Sequence, residues 1–164
     1  MSRSASPATD RRVVVAGMGS EYRRDDGAGP AVAERVGQAR PGVVVVGPLS
    51  DPLDLLGLWD DADLAVVVDA VRSGRAPGTV QLLDLDTGSR AGAALALPRP
   101  TSTHGIGLVG ALRLARAVGS APKRVVVVGI EGQDFGQGTG LSHAVERAVE
   151  EAAQHVLELI REAP

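Results

Sequence analysis

Short apolar runs, most of them rich in valine, punctuate this chain. They occur at residues 12–17 (RVVVAG), 42–47 (GVVVVG), 64–70 (LAVVVDA), 79–85 (TVQLLDL) and 124–130 (RVVVVGI). Four of the five are nearly unbroken apolar stretches, the pattern of strands covered on both faces. The fourth run, TVQLLDL, alternates more with polar residues and suits a sheet edge. Between the runs lie amphipathic segments. Residues 27–39 carry Pro30 near a first helical turn, where its missing N–H costs nothing. Residues 50–59 open with Ser50, Asp51 and Pro52, a helix-start signal. Residues 105–118 and 141–161 place apolar side chains at helical spacing. Ser142 is a cap candidate for the last of these, although Glu146 stands one position too far for a capping box.

Strands alternating with helices predict a three-layer αβα sandwich around a five-stranded, mostly parallel mixed sheet. The connection between Asp69 and Thr79 is too short for a crossover helix, so strands three and four are expected to form a hairpin. Residues 86–104, rich in Gly, Ser and Pro, read as a long loop. The expected organisation is a disordered tail over residues 1–10 and one domain over 11–162.

Composition narrows the possible functions. With 164 residues, 44% apolar, the chain can bury a real core, built mainly from Val, Leu, Ala and Ile because it has only one Trp, one Tyr and one Phe. Cysteine is absent, which removes disulfides, thiolate metal sites and a cysteine nucleophile. The formal charge of −3, with Lys and Arg scattered, argues against nucleic acid as a partner. The first ten residues have no apolar core of a secretory signal, and no run approaches the length of a membrane helix. A cytoplasmic protein that does not bind membranes is the expectation.

Candidate chemistry gathers where strands end. GMGSEYRRDDGAGP, residues 17–30, follows the first strand, where a glycine pair usually cradles phosphate. Tyr22 stands where a dinucleotide fingerprint needs its third glycine, no Gly-Lys-Ser/Thr follows, and Asp25 and Asp26 would repel a phosphate. A nucleotide-binding domain is therefore disfavoured. The plain alternative is an acidic helix start, favoured by the macrodipole. Asp69, however, closes a buried Val run, and a carboxylate so near a core must be paired, protonated or on a metal. His104 precedes the third amphipathic segment. Asp26, Asp69 and His104 would thus share the carboxyl-end side of the sheet, where α/β proteins bind ligands, as two oxygens and one imidazole suited to a divalent transition metal. Glu131 and Asp134 after the fifth strand read as solvated loop charges. Trp59 reads as core, and His143 and His155, roughly 120° apart around one helix, read as surface residues. Arg72 and Arg75 either hold a carboxylate of a substrate tail or are plain surface charge. No G-x-S-x-G or H-E-x-x-H motif occurs.

The series GMGSEYRRDDGAGP, VVVDAVRSGRAPGTV, TSTHGIGLVGAL and VVVVGIEGQDFGQGTGLSHAV resembles the hydrogenase maturation protease family, in order from about Val13 to Leu159. The resemblance implies an endopeptidase that removes the C-terminal extension of a nickel-loaded precursor of a nickel–iron hydrogenase large subunit. It carries the family's metal-contacting positions to Asp26, Asp69 and His104, with Asp26 and Asp69 as catalytic carboxylates and Gly17, Gly19, Ser20, Asp25 and Gly27 as the positioning loop. Nickel is then supplied by the bound substrate, with other divalent metals able to substitute, and the protein is expected to be a monomer. Whether the metal polarises the scissile carbonyl, a carboxylate acts as general base, or two carboxylates share a proton stays open. Asp25 stays open too, as cap, as partner to the site or as neither. Ser20 departs from the family's usual Asn, and the stretch GPLSDPLDLL, residues 47–56, adds Asp51 and Asp54 to a normally glycine-rich loop. A non-catalytic nickel-checking chaperone or binding module for the large subunit is the alternative.

Overall fold

The computed structural model describes residues 11–85 and 103–163, with the side chains of 103–106 outside the description. The expected tail at 1–10 and most of the expected loop at 86–104 lie outside the described residues. The strands are β1 (Val13–Met18), β2 (Val44–Leu49), β3 (Leu64–Val71), β4 (Val80–Leu85) and β5 (Val125–Glu131). The helices are α1 (Ala28–Ala39), α2 (Thr103–Val118) and α3 (His143–Glu162).

One five-stranded sheet runs in the order β2-β1-β3-β5-β4. β1 pairs in parallel with β2 and β3, and β3 in parallel with β5, while β4 lies antiparallel on β5. The mixed sheet and the polar edge strand agree with the sequence reading; the hairpin of strands three and four does not. β5 inserts between them. Residues 72–79 are too few for a helix but long enough to step across one intervening strand, about 10 Å from β3 to β4 at sheet spacing. They pass over the end of β5, where the Glu131 main chain bonds Gly78 and Thr79.

Alternation along the strands splits the core in two. Val13, Val15, Leu64, Val66 and Val68 face α1 and α3, and Val14, Ala16, Ala65 and Val67 face α2, Leu55 and Trp59. This is the expected three-layer sandwich. Trp59 is fully buried, as expected of a core residue. β2 departs from expectation: Val44 and Val45 are 38% and 39% exposed. Its valines look like a buried strand in sequence, but among the described residues β2 has a neighbouring strand on one side only.

The segment 50–59 also differs. Only Pro52–Leu55 coils, as one 3-10 turn, with Asp51 capping it by accepting from the Leu53 N–H at 2.9 Å. Gly57 then turns the chain at φ +83°. No helix among the described residues is long and apolar enough to cross a membrane.

Candidate functional site

The site region is set by how closely α1 seats on the sheet. A side chain at Gly17 would meet Pro30 Cα at 2.6 Å, so glycine there lets the start of α1 lie against β1. Gly29 in turn sits on the Met18 and Val68 carbonyls at the carboxyl ends of β1 and β3. The 3-10 turn Arg24–Gly27, just ahead of α1, is thereby held over those strand ends. Gly19 takes φ +113° with its Cα against the Asp26 main chain, a conformation only glycine adopts freely. Gly27, buried at the base of the turn, packs against Glu21. The glycines of this loop serve close backbone contact.

The two adjacent carboxylates have different surroundings. Asp25 is fully buried, and its carboxylate accepts four hydrogen bonds. Oδ2 takes the Gln133 and Asp134 N–H groups and the Ser142 hydroxyl, each at 2.8 Å, and Oδ1 takes the Ser142 N–H at 2.7 Å. Burial alone would push this carboxyl up, but the bonds from Ser142, Asp134 and Gln133 outweigh it and hold it below the usual carboxylate range. Asp26 is 5% exposed and accepts at Oδ2 from the Ser20 N–H at 2.8 Å, with Arg23 Nη1 3.9 Å away. Its Oδ1 accepts no hydrogen bond among the described residues. Among the described residues, one carboxylate is saturated and the other keeps an oxygen available.

Ser20 holds Asp26 through its main chain, so that bond does not depend on the side chain at position 20. The Ser20 hydroxyl accepts from the Tyr22 N–H at 3.3 Å and caps the loop. Asp69, 6% exposed, stands on β3 one residue beyond Val68, which is level with Gly17. By alternation it shares the face of Ala65 and Val67, the side covered by α2. α2 leads into β5 from the amino end of the sheet, and at about 24 Å long it carries its first turn to the carboxyl end. The packing of Gly107 against Pro52, just past the end of β2, fixes that placement. His104 lies one turn earlier; its side chain is outside the described residues. The fold thus brings Asp26, Asp69 and the backbone of His104 to one end of the sheet. Among the described residues no three of His, Asp and Glu form a metal-ligating group.

Several polar residues have roles the sequence reading did not assign. Glu131 is not a solvated loop charge: it is buried at 2% exposure and accepts from the Ser73 N–H (2.8 Å), the Ser73 hydroxyl (2.6 Å) and the Gly74 N–H (3.1 Å). The reasoning that singles out Asp69, a carboxylate closing a Val run, applies equally to Glu131 and identifies it. Asp134 is solvated as expected, and its Oδ1 accepts from the Gly136 N–H. Ser142 occupies the N-cap position of α3, but its hydroxyl is given to Asp25 instead of the helix. Arg72 lies over the Phe135 ring at 4.6 Å from its centroid. His143 is exposed, and His155 is partly exposed between Glu151 and Glu158 on α3.

Comparison with known proteins agrees with this architecture. A family model described as hydrogenase maturation protease matches residues 31–159. The Hydrogenase 2 maturation protease of Escherichia coli strain K12 is 29% identical over 155 residues, 92% of each chain. The solved structure of the hydrogenase maturating endopeptidase HybD from E. coli superposes with a TM-score of 0.77 at 27% identity, covering 92% of this chain and 93% of that one. The [NiFe] hydrogenase maturation protease HybD from Thermococcus kodakarensis gives 0.73 at 25% identity, over 90% and 98%.

Proposed function

The chain belongs to the hydrogenase maturation protease family, and on that premise we propose that it acts as an endopeptidase on the precursor large subunit of a nickel–iron hydrogenase, removing a C-terminal extension during maturation. The E. coli relative and the two HybD structures are named as proteases or endopeptidases, which favours cleavage over a non-catalytic chaperone. The observation that carries the site assignment is the contrast within Asp25-Asp26. A carboxylate with an oxygen in reserve, held at the carboxyl end of the sheet, suits contact with an incoming electrophile or metal.

In this reading nickel arrives with the precursor and belongs to the substrate, and other divalent ions can stand in for it. Asp26 and Asp69 offer carboxylate oxygens and His104 an imidazole, a donor set that accepts such an ion. Gly17, Gly19, Ser20 and Gly27 hold the loop that carries Asp26. Either carboxylate is chemically able to take a proton from an attacking water. The protein works as a monomer in the cytoplasm.

The test incubates purified precursor, prepared with and without nickel, with this protein and weighs the products. Loss of a discrete C-terminal peptide from the nickel-loaded precursor alone is the expected result. Binding without any change in mass would favour the chaperone instead. Asp69→Asn and His104→Ala should abolish processing with the circular dichroism spectrum unchanged. Full activity in either folded variant would remove that residue from the site.

A further inference from the structure

We infer that Asp25 is a positioning residue, which sets where Asp26 stands by clamping the Asp26 turn to the connection between β5 and α3. The inference rests on the reading of Asp26 as a site residue. Residues 132–142 join β5 to α3, and the turn is tied to them through its first two residues, Arg24 and Asp25. The Asp25 N–H donates to the Asp134 carbonyl at 2.9 Å, while its carboxylate takes the Gln133, Asp134 and Ser142 donors. Just ahead of this clamp, the Arg24 N–H donates to the Gly138 carbonyl at 3.0 Å and the Gly138 N–H to the Tyr22 carbonyl at 2.9 Å. The Arg24 guanidinium donates to the Thr139 carbonyl at 3.2 Å.

The turn needs this support. Arg24 takes φ +53°, a left-handed conformation that is unfavourable for a non-glycine residue and lasts only where surroundings impose it. Arg24 and Asp26 flank Asp25 directly, so a relaxation at 24 is transmitted to 26 through one residue. Asp25 has no oxygen left for substrate, since both are committed to main-chain and serine donors. It acts through Asp26 and does not itself touch the reacting atoms.

The substitution Asp25→Asn keeps size and shape but cannot keep all four bonds. Whichever way the amide is turned, its NH₂ faces at least one donor; the least costly choice sets it against the Ser142 N–H. Ser142→Ala is milder and removes only the hydroxyl bond.

The experiment measures kcat and KM for processing of nickel-loaded precursor, per mole of folded enzyme, for the wild type, Asp25→Asn, Ser142→Ala, their double variant and Asp26→Asn. Asp25→Asn is expected to lower kcat by about ten- to a hundredfold, the effect of a displacement near 1 Å, with KM changed by no more than about threefold. Ser142→Ala is expected to lower kcat less, and to lower it again by a similar factor in the Asp25→Asn background, where the Ser142 hydroxyl still bonds the retained oxygen. An unchanged kcat in folded Asp25→Asn would reduce Asp25 to a stabiliser of the fold and overturn the inference. Should Asp25→Asn not fold, Ser142→Ala decides: a lowered kcat at unchanged KM supports positioning, and an unchanged kcat overturns it. Full activity in Asp26→Asn would instead overturn the site reading, whatever the Asp25 variants do.

Discussion

Replacing Gly29 by alanine tests whether the seating of α1 on the sheet controls both stability and the site. The new Cβ would stand 2.5 Å from the Met18 carbonyl oxygen and 3.0 Å from the Met18 nitrogen, and nearer still to the Val68 carbonyl. Carbon and carbonyl oxygen ordinarily approach no closer than about 3.3 Å, so the start of α1 must retreat by roughly 1 Å. All the obstructing atoms are backbone, and no rotamer change relieves them. The retreat loosens Ala28, Val32, Ala33 and Val36, which are buried against β1 and β3. A gap of that size forfeits a quarter to a half of each affected contact, and overpacking of this kind costs about 3 kcal/mol at its upper range. Alanine's better helix propensity returns about 0.5–1 kcal/mol, leaving a net loss of about 2 kcal/mol. In urea, at about 2 kcal/mol per molar, the midpoint should fall by about 1 M. Trp59, the only tryptophan and fully buried, reports the transition by fluorescence. Gly110→Ala on α2 is the control, because a Cβ there meets nothing within 4 Å. Its midpoint should rise by about 0.3–0.5 M. If Gly29→Ala rises as the control does, close seating of α1 is not what the glycine secures. Because α1 continues directly from the Asp26 turn, processing per folded molecule should also drop in Gly29→Ala and stay level in Gly110→Ala.

Two further outcomes follow from other carboxylates. Glu131→Ala leaves the Ser73 and Gly74 donors without their acceptor, a loss of about 1–3 kcal/mol; trypsin should then cut after Arg72 or Arg75 several-fold faster, read by mass spectrometry, and an unchanged rate would mean the loop holds without Glu131. Asp63 is held below the usual carboxylate range by the Lys123 ammonium and the Arg12 N–H, so its folded form binds its proton more weakly than the unfolded chain. That contribution is complete above the unfolded value and is lost as pH falls through the lower folded one. Asp63→Asn should therefore melt below the wild type at neutral pH, with the difference closing below about pH 4; a difference that persists into acid would refute the assignment.

How far the sequence could be read depended on whether the deciding partners were local. The strands, the three helices and the end of the sheet where Asp26 and Asp69 lie follow from Val runs and helical spacing, which are properties of neighbouring residues. The exposure of Val44 and Val45 does not, because it depends on β2 standing at the edge of the sheet among the described residues, a fact of strand order. The misplaced partner of β4 has the same origin: residues 72–79 fit a hairpin and a step across one strand equally well. Asp25 was undecidable for a different reason. Its four donors lie 108 to 117 residues away, in a glycine-rich loop with no regular periodicity. Pairwise chemistry at such separation leaves no trace in local pattern, whereas Glu131 carried a readable signal in the strand it closes.

The insertion of β5 between β3 and β4 has a consequence for the order of assembly. As the chain is synthesised, β1, β2 and β3 can join in sequence, but β4 has no strand to pair with until residues 125–131 emerge. The loop that clamps Asp25 comes later still, at 132–142. The Asp26 turn, though made early, therefore acquires its seat among the last events of folding. A nascent chain that stops before residues 132–142 would hold the amino-terminal carboxylate without the loop that aims it.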